Sequence, residues 1–263
     1  MQILQAIILG LIQGLSEFIP VSSSGHLLLV GHYLNFSYSG LGFDTALDIG
    51  TLAALFLFFW KDFVELAKSI FVKDIDSRLA WILVVATIPG VVAGVVFESA
   101  IEHIHQSSAG VTVVAANLVV VGVIMLIADK YGRRQLDISQ MNYKKGLTIG
   151  LAQALAIVPG VSRSGITITA GLAEGFDRVS ATRFSFLLSA PIIAGATAKE
   201  VLKPSTLSQI HSAPLIYAFG IVAAALSGYL AIRFVLNYLV RHGLALFAYY
   251  RIIVGLLILV VVR

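Results

Sequence analysis

The 263-residue chain is 58% hydrophobic and only 12% charged, with a formal net charge of +4. That balance excludes a soluble globular domain, which carries about 25% charged residues, and it excludes a disordered chain. Without cysteine there is no disulfide framework, thiolate metal site or cysteine nucleophile, and the positive charges are scattered over short gaps rather than gathered for nucleic acid. The composition predicts an integral membrane protein.

Residues 2–19 are apolar but carry Gln13 and Glu17, and they run into Pro20, three serines and a second short apolar piece, 26–36. The first Lys or Arg of the chain is Lys61, so this stretch lacks the basic start of a signal peptide and is expected to belong to the fold. It reads as two half-length helices around a polar break, the pattern of a re-entrant hairpin. A run long enough to span a bilayer follows at 43–60, opening with Asp44 and Asp48, which ligate a cation, face an aqueous vestibule or form an interfacial cap. Further spans are predicted at 79–97 and 111–128. The loop between them holds Glu98, Glu102, His103 and His105, whose amphipathic spacing reads as a solvated face. A second broken segment, 146–173, contains Pro159, Gly160 and an arginine-bearing serine motif. Spans at 184–198, 214–234 and 244–262 complete the chain, the last interrupted by Arg251 after Tyr249 and Tyr250.

Lys and Arg placement orients these spans. The gaps 61–78 and 129–145 are basic, whereas 98–110 holds no Lys or Arg. The basic gaps are therefore expected in the cytoplasm and both termini outside. The fold class is all-α integral membrane: six transmembrane helices plus two re-entrant helical hairpins in one polytopic domain, 1–263. A shift of 140 residues superposes the broken segments without a gap, pairing Gly10, Gln13, Val21, Ser22, Ser24 and Gly25 with Gly150, Gln153, Val161, Ser162, Ser164 and Gly165. The chain thus reads as an inverted-topology repeat, with one copy at about 1–128 and the other at about 141–263. Such folds place a polar site near the bilayer midplane, where broken helices meet.

Gln13 and Glu17 share a helical face, Pro20 ends that helix, and serines at both breaks supply caps for the next. Helix starts converging in a low-dielectric site attract anions. Ionisable residues at membrane depth cost about 2.5–3.5 kcal/mol, so Glu17 and Arg163 call for a function. A guanidinium beside serine hydroxyls and free N–H groups suits phosphate, and an imidazole, His26, suits proton transfer. Gly90 and Gly94, like Gly10 and Gly14, read as helix-packing pairs, and Gly-rich faces permit a homodimer. The residues alone reach a phosphate-bearing substrate at membrane depth. They leave open a transporter of lipid phosphate on the same anion site, and a membrane scaffold.

The stretch Gln13-x-x-x-Glu17-Phe-Ile-Pro20-Val-Ser-Ser-Ser-Gly25-His26 resembles the signature of the bacterial undecaprenyl-diphosphate phosphatases, also called bacitracin-resistance proteins. Pro159-Gly-Val-Ser-Arg163-Ser-Gly-Ile-Thr167 resembles their second motif, and the similarity extends over essentially the whole chain, including Phe43-Asp44 and Tyr250-Arg251. Some members have a second glutamate where this chain has Gln13. The resemblance implies hydrolysis of a polyprenyl diphosphate to the monophosphate carrier of peptidoglycan synthesis, bacitracin resistance, and a bacterial inner-membrane location with a periplasmic opening. It also implies a divalent cation, Mg²⁺ or Ca²⁺, with Glu17, Gln13 and Asp44 as candidate ligands. On this reading Glu17, Ser23, His26 and Arg163 are catalytic, and the attacking group is Ser23 with His26 as its base, His26 itself, or an activated water. Ser22, Ser24, Gly25, Ser162, Ser164, Gly165, Thr167 and Arg251 are the candidate phosphate contacts.

Overall fold

A computed structural model describes residues 2–33, 41–72, 77–107 and 110–261; within it, the side chains of Leu41, Glu98, Glu102, His105 and Gln106 lie outside the described set. Three of the four loop residues read as a solvated face therefore go without a structural account, and the fourth, His103, is exposed. Helix is the regular structure of the described residues, apart from a single bridge between Leu136 and Phe176. Lipid offers the backbone no hydrogen bonds, so each segment must satisfy its own.

Helix α1 (Ile3–Phe18) stops at Ile19, which is extended (φ −66°, ψ 129°) because the residue before a proline is driven out of the helical region. Helix α2 (Ser23–Tyr33) follows after a short turn. Next come α3 (Leu41–Phe58) and α4 (Trp60–Phe71), bent by 77° at Phe59. Then α5 (Arg78–Val96), α6 (Glu98–Gln106) and α7 (Gly110–Tyr131) lead to the second break. There α8 (Tyr143–Ala154) tightens into a 3-10 turn, Leu155–Ile157, and Val158 is extended ahead of Pro159. Helix α9 (Arg163–Ala173) restarts the chain, followed by α10 (Arg178–Val201), α11 (Pro204–Ser212), α12 (Pro214–Arg241) and α13 (Ala245–Val261).

Each of the six predicted spans is helical, but not all are built to cross a bilayer alone. Among the described residues α5, α7, α10 and α12 are long and apolar enough, and the bent α3–α4 pair makes a fifth. The 17 residues of α13 reach only about 25 Å, short of a hydrocarbon core of about 30 Å. The run predicted at 184–198 begins earlier, because the Asp177 carboxylate accepts the Ser180 N–H at 2.8 Å and caps α10 ahead of Arg178 and Arg183. The charges hid that start from a hydropathy reading.

The broken helices lie against long ones. α1 follows α12 so closely that a Cβ on Gly10 would stand 2.2 Å from the Gly220 carbonyl oxygen, and one on Gly14 2.0 Å from Ser227 Oγ. On the other side α8 meets α5, where a Cβ on Gly150 would lie 2.3 Å from the Ala86 oxygen. Small residues allow this approach, and dispersion between the backbones holds it. Gly10 and Gly14 thus form an internal packing surface. Gly90 packs on Gln153 and Ile192, whereas an added Cβ at Gly94 meets nothing within 4 Å, so that glycine is no part of a contact.

One end of the bundle gathers the basic gaps. Asp129 accepts from Arg178 Nε at 2.6 Å and from the Leu244 N–H at 3.1 Å, Lys145 pairs with Glu174 at 3.2 Å, and Arg183 pairs with Asp62 of α4.

Candidate active site

The two breaks share one backbone device. Ser22 and Ser162 both have positive φ, 79° and 71°, and their hydroxyls accept the N–H groups of Gly25 (3.4 Å) and Gly165 (3.2 Å). Holding a non-glycine residue in the left-handed region costs about 1–3 kcal/mol and persists only where surroundings impose it. Here the impositions come from Arg251, which is fully buried and donates to the carbonyls of Pro20 (3.2 Å), Gly160 (2.8 Å) and Val161 (2.9 Å). One guanidinium therefore ties both breaks together. Gly160 itself has φ +88°, and a Cβ there would lie 2.5 Å from the Val114 oxygen.

At the junction Glu17 collects three donors. Ser23 Oγ donates to Glu17 Oε2 at 2.5 Å, Gln13 Nε2 donates to the same oxygen at 3.0 Å, and Arg163 of the second break pairs with Oε1. The Glu17 and Arg163 side chains are only 8% and 17% exposed. A buried pair regains its desolvation cost only when its other hydrogen bonds are satisfied, and here they are: Arg163 also donates to the Ser189 carbonyl at 3.2 Å. Gln13 Nε2 makes a second bond, 2.6 Å, to Asp48 Oδ1 of α3. Since carboxylates only accept, the amide must turn its nitrogen to them, which leaves Gln13 Oε1 buried without a hydrogen-bond partner.

His26, one turn into α2, stands apart from that cluster. Its Nδ1 donates to the Ser22 carbonyl at 2.7 Å, and Tyr250 Oη donates to Nε2, also at 2.7 Å. The Ser23–His26 pairing, one of the three routes left open, is not formed here; Ser23 is bonded to Glu17. The Glu17 carboxylate is the acceptor that the hydroxyl reaches, across the turn at Pro20.

The remaining candidates divide by what they touch. Ser164 Oγ donates to the Glu17 carbonyl at 3.2 Å, and Ser24 is exposed. Thr167 is buried, bonded to the Arg163 carbonyl (2.7 Å) and Ser185 Oγ (2.6 Å), which joins α9 to α10. Asp44 lies one turn before Asp48 on α3, and it is Asp48 that meets Gln13. Tyr250 is the residue sequence reasoning left aside, while Asp48 was read with Asp44 but without its tie to Gln13. The signal for Asp48 was its depth within an apolar run; for Tyr250 it was adjacency to Arg251 alone. Among the described residues no three His, Asp or Glu side chains converge as a metal cluster.

The fold and this junction define an α-helical integral membrane protein with a carboxylate–hydroxyl–guanidinium cluster between two broken helices. Residues 6–257 match the family described as bacitracin resistance protein BacA. The chain is 46% identical over 263 residues to the undecaprenyl-diphosphatase of Moorella thermoacetica, covering 99% of this chain and 98% of that protein. It is 42% identical to the undecaprenyl-diphosphatases of Geotalea daltonii, over 100% of this chain and 99% of that one, and of Desulforudis audaxviator, over 98% and 97%. The chain belongs to the bacitracin resistance protein family.

Proposed function

We propose that the protein is a phosphatase that hydrolyses undecaprenyl diphosphate to undecaprenyl phosphate and inorganic phosphate, recycling the lipid carrier of peptidoglycan synthesis and protecting against bacitracin. Family membership supplies the substrate. The observation that carries the chemistry is the shared Glu17, which receives the Ser23 hydroxyl from one break and the Arg163 guanidinium from the other. A carrier that only moved the lipid would need the anion site but not this hydroxyl–carboxylate pair, so transport alone is the weaker reading.

The reaction runs in two halves. The terminal phosphate of the substrate takes Arg163 away from Glu17, since the guanidinium forks onto phosphate oxygens and the N–H groups at the start of α9 add donors. Glu17, released from its ion pair, becomes basic enough to accept the Ser23 proton. Ser23 Oγ attacks the terminal phosphorus, an Oγ–P bond forms, the bridging P–O bond breaks and undecaprenyl phosphate leaves. Water then attacks the phosphoserine, giving its proton to His26 Nε2, and Ser23 leaves with the proton held on Glu17. Arg251 contributes by holding both breaks in register, and Ser22 and Ser162 by capping the helices. Charge stabilisation by Arg163 supplies the largest share, as in other phosphoryl transfers.

A divalent cation fits beside this site. With the Gln13 amide flipped from the orientation it holds here, Gln13 Oε1 would join Glu17 and Asp48 in an all-oxygen donor set of the kind Mg²⁺ and Ca²⁺ prefer, and the buried, unpartnered Gln13 oxygen is the observation in its favour. Bound there, the ion would neutralise charge on the diphosphate. Asp44 would face the same ion only as a more distant charge.

The chain forms an inverted-topology repeat with two re-entrant hairpins, α1–α2 and α8–α9. Supporting this are helix starts at Ser23 and Arg163, 140 residues apart, the paired left-handed serines, and the matching of α1 on α12 by α8 on α5. If α13 and the bent α3–α4 pair also cross, making six spans, the ion pairs around Asp129 lie in the cytoplasm, and the site's opening and both termini lie on the outer face of the bacterial inner membrane. Gly10 and Gly14 are committed within the chain, so a homodimer would use other surfaces.

The test is phosphate release from undecaprenyl diphosphate by detergent-purified protein, with acid-quenched samples analysed for phosphoserine. Phosphoserine at position 23, absent in Ser23→Ala together with turnover, is expected. Near-normal turnover by Ser23→Ala would overturn the serine route, and no release from folded wild-type protein would overturn the activity.

A further inference from the structure

We infer that Tyr250 is the positioning residue for His26 in the second half of the reaction. The carbonyl of Ser22 can only accept, so the 2.7 Å contact requires the proton of the neutral imidazole to sit on Nδ1. Nε2 then carries the lone pair, and the hydroxyl 2.7 Å away must donate to it. The two rings are nearly parallel, 11° apart with centroids at 5.7 Å, so the bond is made edge to edge rather than across a ring face. His26 is thus gripped at both nitrogens, by the left-handed residue of the first break and by a side chain of α13, the last helix of the chain.

This grip has a structural logic. Tyr250 precedes Arg251, whose guanidinium holds the carbonyls of both breaks. One turn of α13 therefore sets the backbone of the site through Arg251 and the orientation of its imidazole through Tyr250. No other hydrogen bond in the described structure reaches Nε2, so without the hydroxyl the ring is free to rotate about its Nδ1 bond. The inference rests on His26 accepting the proton of the hydrolytic water: the Tyr250 hydroxyl occupies the lone pair in the resting site and yields it when water arrives, already aimed. Tyr250 forms no bond to the substrate in this scheme and acts through His26.

The test is Tyr250→Phe, which keeps the ring contact and removes only the hydroxyl, assayed in detergent beside wild type. Expected is a fall in kcat of roughly tenfold or more, part of the ~10²–10⁴ that a positioned base contributes, with KM unchanged and phosphoserine accumulating. A second measurement needs no activity: ¹⁵N spectra of histidine-labelled protein, with His26 assigned from a His26→Gln variant. Wild type should show an unprotonated Nε2 that accepts a hydrogen bond, and Tyr250→Phe should move that resonance downfield with the thermal midpoint unchanged. An unmoved resonance, or unaltered kcat in an active enzyme, would overturn the assignment. Absence of phosphate release by wild type would instead overturn the enzymatic reading, and the spectra would still decide the contact.

Discussion

Ser22 and Ser162, 140 residues apart, both have positive φ, and the hydroxyl of each accepts the N–H three residues further on. The scaffold is duplicated but the chemistry is not. Where the first copy has Glu17, Ser23 and His26, the second has Ile157, Arg163 and Ile166. One break brings a carboxylate, a hydroxyl and an imidazole and the other a guanidinium, so the proposed site needs both halves. The ion pair across the junction, Glu17 with Arg163, joins the two breaks and is the proposed point of phosphate entry.

Arg163→Lys keeps the charge and loses the fork. A lysine ammonium cannot bridge two phosphate oxygens in one plane, and it cannot hold the Ser189 carbonyl at the same time. The expected loss in kcat/KM is about 10²–10³, the range for removing one donor aimed at transition-state charge. Steady-state phosphate release measures it, and a loss under threefold would exclude Arg163 as the main phosphate ligand.

Asp48→Asn tests the cation site separately. The Gln13 nitrogen would lose a charged acceptor, and the donor set would fall to one carboxylate. The expected result is a rise of about 10–100-fold in the divalent cation concentration giving half-maximal activity. Mn²⁺ binding followed by electron paramagnetic resonance should weaken in parallel, and Asp44→Asn should change both far less. Equal effects from the two variants would move the ion away from Gln13.

The polar breaks were legible because prolines, serine runs and ionisable residues inside apolar stretches have no other ready explanation, and because the repeat made one break predict the other. The expected orientation of the spans rests on Lys and Arg placement alone. The pairing of side chains was not legible. Ser23 and His26 lie three apart and look like partners, yet the turn at Pro20 gives Ser23 to Glu17 and leaves His26 to Tyr250. Arg251 read as a phosphate ligand because a buried guanidinium invites an anion. The carbonyls it meets come from two loops far away in sequence, Pro20 and Gly160–Val161, and no local pattern announces them.

Arg251→Ala should accordingly fail in stability before it fails in binding. Removing it takes a donor from the carbonyls of four residues, Pro20, Asn117, Gly160 and Val161, in a water-poor interior, at about 1–3 kcal/mol for each buried group left unsatisfied. The thermal midpoint in detergent should drop clearly, with KM of the surviving folded fraction close to wild type. An unchanged midpoint with a large rise in KM would return Arg251 to the role of phosphate ligand.

Gly160→Ala separates backbone shape from side-chain chemistry, because it alters no functional group. The residue has φ +88°, and a methyl there would stand 2.5 Å from the Val114 oxygen and 2.7 Å from its Cα, both backbone atoms that cannot step aside. To relieve the clash the loop must move away from α7, and Ser162 and Arg163 move with it. Strain of this kind costs about 1–3 kcal/mol, and a displacement of about 1 Å at a reacting geometry can cost about 10²-fold in rate. Activity should therefore fall by far more than the population of folded protein does. Thermal unfolding and phosphate release measured on one preparation separate the two. Gly31→Ala, at a position where an added Cβ meets nothing within 4 Å, should leave both near wild type. If Gly160→Ala lost folded protein and activity in equal measure, the break would be a structural element and its shape would carry no part of the catalysis.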